Sequence, residues 1–390
     1  MTLHDAMKGF VDRGEIPGIV TLLGRGKEAQ VDVLGTMTAG GSEPMKRDTI
    51  FRIASITKPI TAAAVMILIE DGKLKLDDSI DRWLPELANR RVLKGIGAQL
   101  DETVPARRAI TVRDLQNFTF GFGSVMAMPG THPIQKPIRD GHLGGDGVPH
   151  PSQSPSTDEW MRRLGALPLM YQPGERWLYN TASDVLGVLV ARVSGKSLET
   201  FLRERIFEPL AMSDTSFSVP AAKLNRLPGC YQFNHSAKKL EVFDDAGTKS
   251  EFGHPPPFES GGGGLVSTAG DYFAFCRMLL DKGVRGRERI LSQASIAEMT
   301  RDQLTPAQRT GAEIFFGSHC SWGFGMAVDI KAENPWNVPG RFGWDGGYGT
   351  SAYSDPKNDF VGILLTQRCM DSPEPPAVLN AFWREAYQSL

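Results

Sequence analysis

The sequence predicts an α+β fold: an antiparallel sheet flanked by helices, joined to a mostly helical portion. Three observations predict it. Strand-like runs gather at the two ends of the 390-residue chain, helical stretches fill the middle, and 42 glycines with 26 prolines imply many tight turns and long loops. The sheet domain is therefore expected to be discontinuous, from residues 1–80 and 265–390, around a mostly helical domain at 81–264. A pocket between them is expected, because ligand sites favour such junctions.

The elements follow in order. Leu3, Met7, Phe10 and Val11 recur at helical spacing over residues 3–13. Ile19–Gly24 and Glu28–Leu34 are β-rich runs separated by Gly24-Arg25-Gly26-Lys27, a hairpin pattern. Residues 48–54 lead into an apolar helix ending near Asp71, with Gly72 placed to close it. Residues 77–118 are mixed, with a helical piece at Val112–Asn117. Residues 121–157 carry many Gly, Pro, Ser and His residues and no periodicity, which predicts a loop flanking a pocket. Helices are predicted at Asp158–Gly165, Ser183–Val193 and Leu198–Glu208, and irregular chain at 213–260. After Gly261–Gly264 comes a helix over Ala269–Leu280, with Thr268 as its cap and Asp271 as the acidic partner. Strands are predicted at Trp322–Ile330, Arg341–Trp344, Thr350–Ser354 and Phe360–Gln367, then a helix at Ala377–Gln388.

Composition excludes several classes of function. With 43 basic and 45 acidic residues and no extended run of one sign, the chain lacks the basic field that nucleic acid or an anionic membrane surface requires. Its four cysteines, Cys230, Cys276, Cys320 and Cys369, form no CxxC pair, and no HExxH occurs, so neither metal nor other cofactor is expected. They are read as reduced, mostly buried thiols of a cytoplasmic protein. Charges interrupt the first residues, leaving no signal-peptide core, and the longest near-apolar run, Ile60–Ile69, is about half a bilayer span. The oligomeric state has no signature.

The candidate nucleophile is Ser55 of Ser55-Ile56-Thr57-Lys58, an S-x-x-K tetrad. Ser236–Lys239 and Ser354–Lys357 match the same pattern, but one lies in a polar loop and the other in a turn. Only Ser55 precedes a long apolar helix. Pro59 is tolerated in a first helical turn, which places the helix start near Ser55 or Ile56, although Pro59 disfavours helical geometry at Lys58. Residues three apart share a helix face. Burial and the positive helix end both disfavour an ammonium there, so a neutral Lys58 would take the serine proton, directly or through a neighbour. The Ser55 N–H would help bind an oxyanion. The bland alternative is a capping serine and a surface lysine.

A second group is Tyr179, just before the helix around Ser183–Val193. Beside a lysine ammonium the phenol is expected to have a lowered pKa, so that a phenolate accepts the serine proton and later donates it to the leaving group; otherwise it is a buried tyrosine with a bonded hydroxyl. The third group is Trp344-Asp345-Gly346-Gly347-Tyr348-Gly349 between two strand-like runs, where glycines would let a ligand approach the backbone, or simply make a turn.

Together these motifs resemble the class C β-lactamase-like serine hydrolases, which include penicillin-binding proteins and family VIII carboxylesterases. The matching stretches, in family order, are residues 51–80, 110–121, 173–217, 260–280 and 342–356. The resemblance implies a β-lactamase/penicillin-binding-protein-like fold. It implies Ser55 as acylated nucleophile, Lys58 as its partner, Tyr179 as general base, and the N–H groups of Ser55 and Gly347 as oxyanion hole. Phe118, Phe120, Thr181, Trp344, Asp345 and Gly346 fall on the family's substrate-contacting positions.

Departures from the family pattern sharpen the substrate. Thr181 stands at the asparagine position of the Y-x-N box, and Phe118-Thr119-Phe120-Gly121 replaces H-T-S-G. The lysine of the K-T-G box is Trp344, which has one N–H donor and no charge. A substrate carboxylate entering there would lose its ion pair, and Asp345 would repel it further if it faces the pocket. W-x-G at this position is also how family VIII esterases read. The expected function is therefore a serine carboxylesterase acting on small neutral esters. The alternatives are an amidase, peptidase, weak β-lactamase or acyltransferase on the same nucleophile, or a non-catalytic binding protein. The esterase signature G-x-S-x-G is absent, and His132, His142 and His150 are read as surface residues of the 121–157 loop.

Overall fold

Phe360–Thr366 is buried at every position, so it needs neighbours on both edges and cover on both faces. The computed structural model of the protein describes residues 1–26, 28–144 and 150–390. There it lies inside a seven-stranded sheet in the order Cys320–Trp322, Ala327–Asp329, Phe342–Gly346, Thr350–Asp355, Phe360–Thr366, Gly18–Arg25, Glu28–Gly35. Every neighbouring pair is antiparallel. The two ends of the sequence meet inside it, in a register running from Ile19 opposite Thr366 to Arg25 opposite Phe360. The predicted hairpin closes with Arg25 opposite Glu28; Lys27 of its turn lies outside the described residues.

Side chains alternate across a strand, and the two faces are covered differently. Ile19 and Leu364 pack with Met7, Leu379, Phe382 and Trp383, from the helices Leu3–Asp12 and Ala377–Gln388. Val20, Leu22, Ile363 and Leu365 join the main core, with Phe275 and Met278 of the helix Ala269–Leu280. The Thr268 hydroxyl caps that helix by accepting from Asp271 N at 3.2 Å, as its sequence predicts. Asp271, however, accepts from Asp214 N and Thr215 rather than closing a reciprocal box.

The helix Lys58–Glu70 is buried from Lys58 through Leu68 and crosses the core, which is why its sequence is apolar on all sides. It ends where predicted, with Asp71 as cap and Gly72 in the left-handed region at φ 71°. The middle of the chain is less helical than its sequence suggests. Helices Val112–Gln116, Gln135–Asp140, Thr157–Ala166, Thr181–Ser194 and Leu198–Leu202, the last continued without a break by a π-helical turn at Arg203–Phe207 and by Glu208–Leu210, share it with two hairpins. These pair Arg91–Leu93 with Thr103–Pro105, and Cys230–Asn234 with Lys239–Asp244. The second hairpin lies in chain read as irregular. The 121–157 loop contains the Gln135–Asp140 helix; its residues 145–149 lie outside the described residues. Among the described residues, no helix is long and apolar enough to cross a membrane.

Candidate active site

The segment leading to Ser55 is anchored before it turns. Phe51–Arg52 pairs with Val266–Ser267. Arg52 is buried, with Nε donating to Asp244 at 2.5 Å, Nη1 to the Pro228 carbonyl, and Nη2 to the Asp245 carbonyl and Ser250. Ala54 then adopts φ 45°, a left-handed conformation that costs a non-glycine residue about 1 kcal/mol or more. Residues Ala54–Thr57 form a 3-10 turn, and the α-helix starts only at Lys58. Lys58 takes helical angles, φ −55° and ψ −45°, in spite of Pro59. In a 3-10 turn, side chains at i and i+3 eclipse. Lys58 Nζ accordingly lies 2.9 Å from Ser55 Oγ. It also donates to the Gly262 carbonyl at 2.5 Å.

Tyr179 arrives from the opposite side, at the turn that opens the helix Thr181–Ser194. Its neighbour Asn180 is a second left-handed residue, φ 81°, so a strained backbone adjoins both Ser55 and Tyr179. Lys58 Nζ sits 4.7 Å from the centre of the phenol ring. The Tyr179 hydroxyl accepts from Trp344 Nε1 at 2.7 Å and is hydrogen-bonded with Ser55. Trp344 occupies an open strand edge: Ala327–Asp329 pairs with Phe342 and Gly343 and leaves residues 344–346 free on that side.

Burial controls the charges. It pushes the Lys58 amine down to about 7, opposed by the nearby Asp184 carboxylate. It pushes the Tyr179 phenol up to about 12, against hydrogen bonds from Ser55 and Trp344, the reverse of the lowering expected beside a lysine ammonium, because burial outweighs the neighbouring groups. Near neutral pH, the lysine is therefore the group that gains and loses a proton, while the tyrosine stays a neutral phenol. Asp345 is raised to about 6, again by burial. Its carboxylate accepts from Ser351 Oγ at 2.5 Å and from Tyr353, on the face of the strand opposite Trp344.

A cavity opens over this group, lined by Ser55, Tyr179, Trp344 and Gly347 among others, and its space, about 1140 Å³ in all, runs on past the strand to Asp345, Arg341 and Trp383, so Asp345 does not turn its carboxylate toward Ser55. Apolar walls come from Met126, Ile138, Trp160, Phe258 and Phe315. Four residues expected to touch substrate are elsewhere. Phe118 and Phe120 are fully buried behind the wall, where Phe118 packs against Trp177, Tyr179 and Trp322. Thr181 is buried in the first turn of its helix, and Asn180 takes the place at the cavity. At Gly346, a Cβ would stand 2.1 Å from Thr350 Oγ1 and 2.5 Å from the Ile53 carbonyl. That glycine lets the strand approach the Ser55 turn, not a ligand. His142 and His150, read as surface residues, border the cavity, and His150 Nδ1 lies 2.9 Å from Glu251. The loop reaches the site because Ser124 N donates to the Tyr179 carbonyl at 2.8 Å.

Sequence reasoning missed Asp184 and Phe315. Asp184 sits in the first turn of a helix, where an acidic residue is ordinary, and Phe315 belongs to a short helix, Glu313–Phe316, with no periodicity to reveal it.

The fold and this arrangement define a serine hydrolase, with a lysine and a tyrosine beside Ser55. The chain belongs to the beta-lactamase family, whose model matches residues 3–387. It is 38% identical to Protein Rv1367c of Mycobacterium tuberculosis over 375 residues, covering 94% of this chain and 89% of that one. It is 28% identical to Esterase EstB of Burkholderia gladioli over 354 residues, 86% of this chain and 82% of that protein. The structure of EstCE1, titled a hydrolase with promiscuous acyltransferase activity, superposes with a TM-score of 0.80 at 24% identity, covering 99% of this chain and 97% of that one.

Proposed function

We propose that this protein is a carboxylesterase that cleaves neutral esters through an acyl-enzyme on Ser55, with Lys58 and Tyr179 handling the proton. The observation that carries this reading is the run of contacts from Gly262 through Lys58 to Ser55, and from Ser55 through Tyr179 to Trp344. A neutral Lys58 takes the Ser55 proton as Oγ attacks the ester carbonyl. The N–H groups of Ser55 and Gly347 bind the resulting oxyanion. The Tyr179 phenol gives its proton to the departing alkoxide and recovers one from Lys58, so no proton is gained or lost. Water then repeats the sequence on the acyl-enzyme.

The neutral indole of Trp344, where an anionic substrate would want a cation, supports an uncharged ester. Membership of a family that includes a named esterase supports ester over amide. Met126, Ile138, Trp160 and Phe258 give the cavity an apolar wall, which supports an apolar acyl or alcohol group.

A fluorophosphonate probe followed by peptide mass spectrometry tests the assignment. The adduct is expected on Ser55 and lost in Ser55→Ala; labelling that persists in Ser55→Ala overturns it.

A further inference from the structure

Beneath the site lies a carboxylate that none of these steps uses. Asp184, on the helix Thr181–Ser194, is buried, and its Oδ1 accepts from Ser260 Oγ at 2.6 Å and from Gly262 N at 3.0 Å. Both partners belong to the glycine-rich segment 260–264. The carbonyl of the same Gly262 accepts from Lys58 Nζ. The segment is pinned from a second side by Thr61 Oγ1, which donates to the Gly261 carbonyl at 2.8 Å. Its glycines are required by closeness: a Cβ on Gly261 would stand 2.5 Å from the Ser183 carbonyl, and one on Gly262 3.0 Å from Asp184 Oδ1.

We infer that Asp184 is a positioning residue for the Lys58 base: it clamps the strap whose Gly262 carbonyl aims the lysine nitrogen at Ser55, and its charge governs which protonation state of that nitrogen the site holds. Three features carry this. The carboxylate and the lysine bond the N–H and the carbonyl of the same residue, Gly262. The titratable groups facing Lys58 are Asp184 from its helix and the Tyr179 phenol from the turn before it; the 3-10 turn and the strap present the uncharged Ser55 and Gly262. Burial raises Asp184 and lowers Lys58, while each opposes the other's shift, so the two are electrostatically linked across the strap. A buried negative charge favours the ammonium. Removing it frees the amine at lower pH and leaves a weaker base.

Asp184→Asn separates charge from clamp, because the amide oxygen retains both hydrogen bonds made by Oδ1. The kinetic readout rests on the esterase reading, which parent turnover and its loss in Ser55→Ala establish separately. The kcat/KM profile of Asp184→Asn should have its acid limb about one pH unit lower than the parent's. The variant should be the less active at high pH. Ser260→Ala, which keeps the charge and removes one anchor, should leave the limb in place and lower the plateau. Independently of turnover, ¹³C-lysine NMR, with Lys58 assigned by its loss in Lys58→Met, should show the same downward move of its titration in Asp184→Asn. Should Asp184→Asn fail to fold, the parent spectrum decides: a Lys58 midpoint in the ordinary lysine range overturns the inference, and one near neutrality with a matching step at the Asp184 carboxyl carbon supports it. In a folded Asp184→Asn, a limb and a lysine titration that coincide with the parent's, or move to higher pH, overturn it.

Discussion

The indole Nε1 of Trp344 donates to the hydroxyl of Tyr179 across 2.7 Å. A neutral donor thus stands where a positive charge would otherwise pull on the phenol, and it does so with direction: the bond occupies one side of the oxygen and leaves the other toward Ser55. The tyrosine, pushed up to about 12 by burial, keeps its proton at neutral pH, and under the proposed mechanism this is the proton given to the leaving group.

Trp344→Phe retains the flat apolar wall and removes that bond. A hydrogen bond of this kind contributes about 0.5–1.5 kcal/mol, so kcat for p-nitrophenyl butyrate should fall roughly 3- to 10-fold with KM close to the parent's. Steady-state kinetics checks this; an unchanged kcat would show the bond to be a bystander.

Lys58→Ala and Tyr179→Phe should each lower kcat by about 10²-fold or more, the ordinary contribution of a positioned proton-transfer group. Near-normal turnover in Tyr179→Phe removes the phenol from the mechanism.

The pH profile should have one limb in the accessible range. Below about 7 Lys58 is an ammonium with no lone pair to accept the serine proton, so kcat/KM should rise with pH and reach half its plateau near 7. Tyr179, held up to about 12, should impose no fall on the alkaline side below about pH 11. A bell with a descending limb near pH 8 or 9 contradicts this assignment of charges.

Neutral esters should be preferred to anionic lactams. The kcat/KM for p-nitrophenyl butyrate should exceed that for nitrocefin by about 10²-fold or more, the cost of moving a carboxylate from water to a site without an ion pair. The reverse order would show that Trp344 does not decide the substrate's charge.

Asp244→Ala should destabilise the fold by about 3–5 kcal/mol, the usual result of leaving one buried charge without its partner. Arg52 and Asp244 are both nearly inaccessible, and Arg52 lies three residues before Ser55. Urea unfolding measures the loss; a change below about 1 kcal/mol would show that the carbonyls of Pro228 and Asp245 and the Ser250 hydroxyl suffice for the guanidinium.

The legible parts of this protein were those in which one local rule decides the outcome. The outer strands follow from short apolar runs bounded by glycine, and the Ser55–Lys58 spacing follows from helical geometry. Tyr179 and Trp344 were identified as single residues within ordered motifs, and the structure brings both to Ser55. What misled was reading a segment as a surface. Phe118 and Phe120 occupy the expected stretch of chain, yet the backbone turns at Phe118, φ 63°, and points both rings into the core. Thr181 and Asn180 exchange places because the left-handed turn at Asn180 rotates the chain before the helix begins. Gly346 was correctly placed at a close approach, but the approaching partner is the protein's own Ile53 carbonyl. Asp184 was invisible because its role comes from a contact with residues 260–262, which local periodicity does not encode.

The pairing of Gly18–Arg25 with Phe360–Thr366 also has a temporal side. A ribosome delivers the first of these strands long before the second, and Ile19, Val20 and Leu22, paired early with Leu34, Val33 and Val31, must wait for their second sheet partner until Ile363 and Leu365 have emerged. Contacts of such sequence separation form late and slowly. The turn carrying Ser55 leans on the same late-arriving sheet through Gly346 and Thr350, whose hydroxyl donates to the Ile53 carbonyl at 3.0 Å. A nascent chain therefore lacks the assembled Ser55 turn, and if Ser55 is acylated as proposed, its reactivity becomes a timestamp for completion of the whole fold.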